Sequence, residues 1–287
     1  MSMSQPKLVL PSNWKCQGND YRKLPKEILA DGTSVFTNLP CFSNAVSLLQ
    51  KQSETSFVRI PLMQNIEAVS LGANPQEING CYQIREFRYN KLDELPIKKG
   101  SLYHSAEIQT ILSYIKEHSD TQQIMLDIEG PFTILGGLIR SEKLFMAKRK
   151  QPELLKQLLF FLAEELAAYA KEAIQLGVKV ISLSDPQSGI DLVGEPFYRE
   201  FNGLALIHFM EIVSNSLSHA LIHICGKTSY GLLKTNMVRA DAYSIPAQPY
   251  VDTLFSLADN PEITFVGHAC IHIQNQNVNH IWKLSLN

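Results

Sequence analysis

His223 and Cys225 place an imidazole and a thiol two residues apart in the stretch "HICGKTSYGL" (His223 to Leu232). Alternate residues of a β-strand face the same way, so the pair can point together at one ion or one substrate. Zinc accepts both donor types, and a catalytic zinc uses three protein ligands and keeps a fourth position open. Cys270, in "GHAC" (Gly267 to Cys270), is the natural third ligand, while His268, two residues before it, competes for that place. The same pattern also describes a buried histidine beside an ordinary core cysteine, because thiols are among the most buried side chains.

Two more groups of interest sit where strands should end: "DIEGP" (Asp127 to Pro131) and "SDPQSG" (Ser184 to Gly189). Glu129 reads as a polar contact to substrate, or as a carboxylate solvated or paired near a loop. Asp185 either touches substrate or orients a ligand, yet an Asp before a Pro also makes an ordinary turn. Ser188 carries the same two readings. Cys16, Cys41 and Cys81 read as structural thiols, and His104, His118, His208, His219, His272 and His280 have no partner at a useful spacing.

Positioning such side chains requires a scaffold of alternating periods. "TSFVRIPLM", "IMLDIEGP", "VKVISLSDP", "HALIHICG", "ADAYSI" and "EITFVGHACIHI" are short β-branched runs closed by Gly, Pro or Asp, and they read as strands. Between them, "QPELLKQLLFFLAEELAAYAKEAIQLG" carries an apolar stripe at helical spacing, with Pro152 suited to its first turn and Gly177 to its end. A second helix is expected in "PFYREFNGLALIHFMEIVSNSLS". Strand, helix and strand at this spacing form βαβ units and a parallel sheet, which favours an α/β (β/α)8 TIM barrel, with active residues at the C-terminal strand ends. The expectation is one domain over 1–287. Residues 1–100 would form an irregular N-terminal extension and the first barrel elements, 101–287 the main barrel, and "HIWKLSLN" a last strand at a shortened C-terminal end.

Composition narrows the function classes. Among 287 residues, 26 basic and 28 acidic side chains nearly balance and 45% are hydrophobic. No basic block stands out beyond "AKRK" (Ala147 to Lys150), which argues against nucleic acid as a partner. No window approaches the roughly 20 apolar residues of a spanning helix, and "MSMSQPKLVLPSNWK" has no long apolar core of a leader, so a cytoplasmic protein without a membrane partner is expected. Five scattered cysteines argue against a disulfide framework.

Several stretches occur in a telling order: "EGPFTILGGLI" (Glu129 to Ile139), "KQPELLKQLLFFLAEELAAYAKEAIQLGVKVISLSDPQSGIDLVGEPFYREF" (Lys150 to Phe201) and "HICGKTSYGLL" (His223 to Leu233), preceded by "RIPLMQNIEAVSLGAN" (Arg59 to Asn74). In this order the sequence resembles the uroporphyrinogen decarboxylase-like superfamily. Within it, the likeness is to the zinc-dependent corrinoid methyltransferase branch of the methylcobamide:coenzyme M methyltransferase type. That resemblance implies a TIM barrel, Zn2+ held by His223, Cys225 and Cys270, and substrate contacts from Asp185, Ser188 and Glu129. It also implies a corrinoid (methylcobalamin) supplied by a separate carrier protein and a small thiol or methylated substrate; homo- or hetero-oligomerisation stays open.

The sequence departs from that pattern in places. The interval between Cys225 and Cys270 is shorter than the branch has, and Pro246 and Ala247 stand where a carboxylate for zinc's fourth position should follow "ADAYSI", leaving Asp241 or a water as substitutes. A degenerate barrel serving as an accessory subunit and a cofactor-free decarboxylase are the competing expectations.

Overall fold

A computed structural model describes residues 23–53, 55–273 and 275–287. Cys16 lies outside them. Nine strands are described: β1 (Phe57–Ile60), β2 (Pro75–Ile78), β3 (Cys81–Ile84), β4 (Gln123–Glu129), β5 (Val180–Ser184), β6 (Leu221–Cys225), β7 (Val238–Pro249), β8 (Phe265–Ala269) and β9 (Asn277–Leu286). Seven of them form one sheet in the order β1-β4-β5-β6-β8-β9-β7, and β2 and β3 form a separate hairpin. The fold is α/β, and β1, β4, β5, β6 and β8 run parallel.

Period-two sequence sorts each parallel strand into two faces. Ile124, Leu126 and Ile128 of β4 join Ile181, Leu183, Ile222 and Ile224 in the larger core. The helices Ala106–His118, Pro152–Gln175 and Gly203–Ser214 supply that core's other half. The longest of them begins with Pro152 at its first turn and buries Leu155, Leu158, Leu159, Leu162, Leu166 and Tyr169 along one stripe. It closes at Gly177, whose φ of +103° is one that L side chains rarely adopt.

The opposite face of the strands is the interior. Phe57, Met125, Val180, Leu221 and Val266 there pack against Tyr250, Val251, Leu254 and Phe255 of the helix Tyr250–Leu257. Each such side chain contributes about 1.5–3 kcal/mol by leaving water. An inward-packed helix therefore fills the end of the interior where the parallel strands begin. The end where they finish is left for polar groups.

The sheet departs from eight parallel strands at its C-terminal side. Between Ala269 and Asn277 the connection is too short for the dozen or more residues of a parallel crossover. β9 accordingly returns antiparallel to β8, and β7 pairs antiparallel with β9. "ADAYSI", expected as the strand next after "HICG", lies in β7 at the end of the sheet order, and no ladder joins β7 to β1 among the described residues.

Candidate active site

Register lays the inward side chains of neighbouring strands in rows. Asp127 of β4 stands beside Ser182 of β5, and Ser182 beside His223 of β6; one step further along, Glu129 stands beside Ser184. On the other side of β6, Cys225 is the partner of Ala269, which puts Cys270 at the next position. The C-terminal ends of these strands enclose a cavity of about 200 Å³. Its wall includes Arg59, Glu67, Asp127, Glu129, Ser184, Cys225, Lys227 and Cys270. Both cysteines anticipated at this site thus line one space.

His223 is placed differently. It is fully buried, and neither it nor His268 is among the cavity-lining residues. His223 Nε2 lies 3.2 Å from the Ala269 carbonyl oxygen, so Nε2 carries the hydrogen and donates it. Nδ1 then accepts from the Ser182 hydroxyl at 3.1 Å. Burial pulls the imidazole's pKa down to about 4, which keeps it neutral. His268 has its ring edge-on to Trp282 at 5.8 Å, and its backbone N–H donates to Ser229 Oγ at 2.8 Å. Asp241 sits exposed on β7 near Arg239.

Three donors must converge to hold zinc, and among the described residues no group of three His, Cys, Asp or Glu does so. Two sulfurs share the cavity while the imidazole is engaged behind them by Ser182 and Ala269. The residues as placed do not fit a three-ligand ion.

Asp185 and Ser188 build the wall rather than face the space. Asp185 Oδ1 accepts from the Thr133 N–H at 2.8 Å and from the Thr133 hydroxyl at 2.6 Å, and Oδ2 accepts from the Phe132 N–H at 3.4 Å. These are first-turn groups of the helix Pro131–Leu138, whose amides have no partner within the helix. Burial raises the Asp185 pKa to about 6 against the lowering pull of those hydrogen bonds. Gly130 is required beside it, because a Cβ there would lie 2.4 Å from Asp185 Cβ. Ser188 Oγ donates to the Asp185 carbonyl at 2.8 Å and closes the turn.

Glu129 does line the cavity, with a partner the sequence did not single out. Its backbone N–H donates to Glu67 Oε1 at 3.2 Å, and Ser184 Oγ donates to Glu129 Oε2 at 3.3 Å. Burial lifts the Glu67 pKa to about 7, and burial followed by the charge of Glu67 lifts Glu129 well above the usual carboxylate range. Beside them Arg59 Nε meets Asp127 Oδ2 at 2.7 Å. Glu67 stands within "RIPLMQNIEAVSLGAN", where a carboxylate flanked by Ile66 and Ala68 on a short apolar helix was the available signal.

The family model for uroporphyrinogen decarboxylase (URO-D) matches residues 62–268, a span that holds most of the cavity wall, both strand-end loops and "HICG" and ends just before Cys270. The chain belongs to the URO-D family. That membership carries the TIM-barrel fold, here with the antiparallel pair at its C-terminal side. Among curated relatives, methylcobamide:CoM methyltransferase MtbA of Methanosarcina mazei is 24% identical over 212 residues, 71% of this chain and 61% of the relative. Uroporphyrinogen decarboxylase of Aquifex aeolicus is 28% identical over 174 residues, 57% of this chain and 49% of the relative. The chain therefore spans about half to three fifths of the length of these relatives. A solved methyltransferase from Methanosarcina mazei shares the fold, with a TM-score of 0.58 at 22% identity over 74% of this chain and 64% of that one. No helix among the described residues is long and apolar enough to cross a membrane.

Proposed function

We propose that this URO-D family protein is a methyltransferase that moves a methyl group between a corrinoid on a separate carrier protein and a small thiol or methylated substrate. The observation that carries the reading is the convergence of Cys225 and Cys270, from β6 and from just past β8, on one small cavity at the C-terminal strand ends. The relatives named as methylcobamide:CoM methyltransferases support it. In the thiol direction, the sulfur of a bound thiolate attacks the methyl carbon of CH3–Co(III). The C–Co electron pair stays on cobalt as Co(I), and the product leaves as a thioether. Thiolate rather than thiol is the nucleophile, so the site's work is to hold a small sulfur compound and manage its proton.

Cavity size supports this reading over porphyrinogen decarboxylation. At about 200 Å³ the space is below the roughly 300–1,000 Å³ of sites for drug-sized ligands, which suits a few heavy atoms rather than a tetrapyrrole. The corrinoid is accordingly presented at the mouth. Zinc, implied by the family resemblance, is absent from the chemistry above because His223 is committed to Ala269. The test is to incubate the protein with methylcobalamin and a panel of small thiols and to follow thioether by mass spectrometry. Thioether formation by wild type supports the reading. Its absence with every thiol, together with turnover of a porphyrinogen, contradicts it.

A further inference from the structure

The cavity holds more acid than its cations answer. Arg59 is held by Asp127 at 2.7 Å, and the Lys227 ammonium lies 3.6 Å from Asp191. Glu67 and Glu129, which are 1% and 6% exposed, line the same cavity, with the Glu129 backbone N–H donating to Glu67 Oε1 at 3.2 Å, and neither has an ion-pair partner among the described residues. Two further polar groups point to a polar occupant of this region. Asn65 lines the cavity with its Oδ1 buried, and the Tyr169 hydroxyl is fully buried, its pKa raised first by burial and then by the charges of Glu67 and Asp127. Neither atom has a hydrogen-bond partner among the described residues.

A methyl transfer to a thiol releases one proton, which needs an acceptor. We propose that Glu67 and Glu129 together are the proton acceptor for the incoming thiol. As the thiol's sulfur takes the methyl from CH3–Co(III), its S–H proton passes to the carboxyl pair, yielding thioether, Co(I) and one carboxylic acid. Burial and the nearby charge of the other carboxylate both raise proton affinity, which moves such a pair from spectator toward base. Other charged or titratable groups facing the pair are Arg59, Asp127, Asp185 and Tyr169. The role rests on the methyltransferase reading, and the pair answers to a test of its own.

That test compares wild type with Glu129→Gln and Glu67→Gln in single-turnover demethylation of methylcobalamin, using two small sulfur nucleophiles. One is 2-mercaptoethanol, which must lose a proton; the other is thioacetate, already ionised at neutral pH. The expected result is a loss of about 100-fold with 2-mercaptoethanol in each variant and a near-normal rate with thioacetate. Glu129→Asp should restore part of the loss, and the wild-type rate with 2-mercaptoethanol should rise with pH through neutrality, a limb absent from the Gln variants. An equal loss with both nucleophiles, or no loss with either, overturns the assignment while leaving methyl transfer intact. No turnover by wild type with either nucleophile overturns the methyltransferase reading and the role with it.

Discussion

Removing the Asp185 carboxylate should weaken the protein strongly, and replacing it by its amide should not. Asp185→Ala would leave the Thr133 N–H, the Thr133 hydroxyl and the Phe132 N–H without their acceptor in a region Asp185 occupies at 1% exposure. Each buried group left unmade costs about 1–3 kcal/mol, and as one network the loss is about 3–5 kcal/mol. The carboxylate also carries a cost of its own. Its pKa, raised from 3.8 to about 6 by burial, means the folded state holds its proton more tightly than the unfolded chain does. The resulting stability is fully present below pH 3.8 and is lost as pH rises through 6, a change of about 3 kcal/mol. Asp185→Asn keeps an acceptor oxygen toward Thr133 and removes the ionisation. Urea unfolding at pH 4 and pH 7 should therefore show the Ala variant weakest at both. The Asn variant should lack the part of the wild-type decline that Asp185 causes. Loss below about 1 kcal/mol in the Ala variant, or equal loss in both variants, would refute the reasoning. Because Asp185 does not line the cavity, Asp185→Asn should also retain activity.

Three other outcomes follow from the same structure. Glu165 gathers the Gly100, Leu102 and Tyr103 N–H groups at 2.6, 3.1 and 3.4 Å, so Glu165→Ala should cost about 2–4 kcal/mol in chemical denaturation, whereas a surface Glu costs little. His223 should stay neutral until pH falls toward 4; its pKa is depressed from 6.5, so the stability it contributes is present above 6.5 and lost as pH falls through 4. Ring NMR shifts that titrate near pH 6.5 would contradict this burial. Elemental analysis of protein purified without added metal should find less than one zinc per chain, while a full equivalent would mean that His223 exchanges Ala269 for the ion.

Much of the scaffold is legible in residue order because it is local. The alternation in "IMLDIEGP" and "VKVISLSDP" and the stripe of Pro152–Gln175 each report which face meets the core, and those strands and that helix form where expected. The helix Tyr250–Leu257 is different: its apolar face does not say whether it packs outside the strands or within them, and it packs within. β9 turns back because of a short connection, a constraint of length that a strand pattern does not carry. At the site, Cys225 and Cys270 were visible as sulfur at strand ends. His223's engagement with Ala269 was not, since a backbone carbonyl leaves no mark in the sequence. Glu67 lies far from Glu129 in the chain, and only the folded interior brings the Glu67 carboxylate to the Glu129 backbone N–H.

The most direct test of the central claim is the rate of thioether formation from methylcobalamin and a small thiol, measured for wild type beside Cys225→Phe, whose ring would occupy the cavity that Cys225 lines, with both shown to be folded by circular dichroism. Turnover by wild type that falls at least about 100-fold in Cys225→Phe is the predicted result, because the thiol can no longer be positioned. Undiminished transfer in folded Cys225→Phe, or none in wild type, would contradict methyl transfer at this cavity.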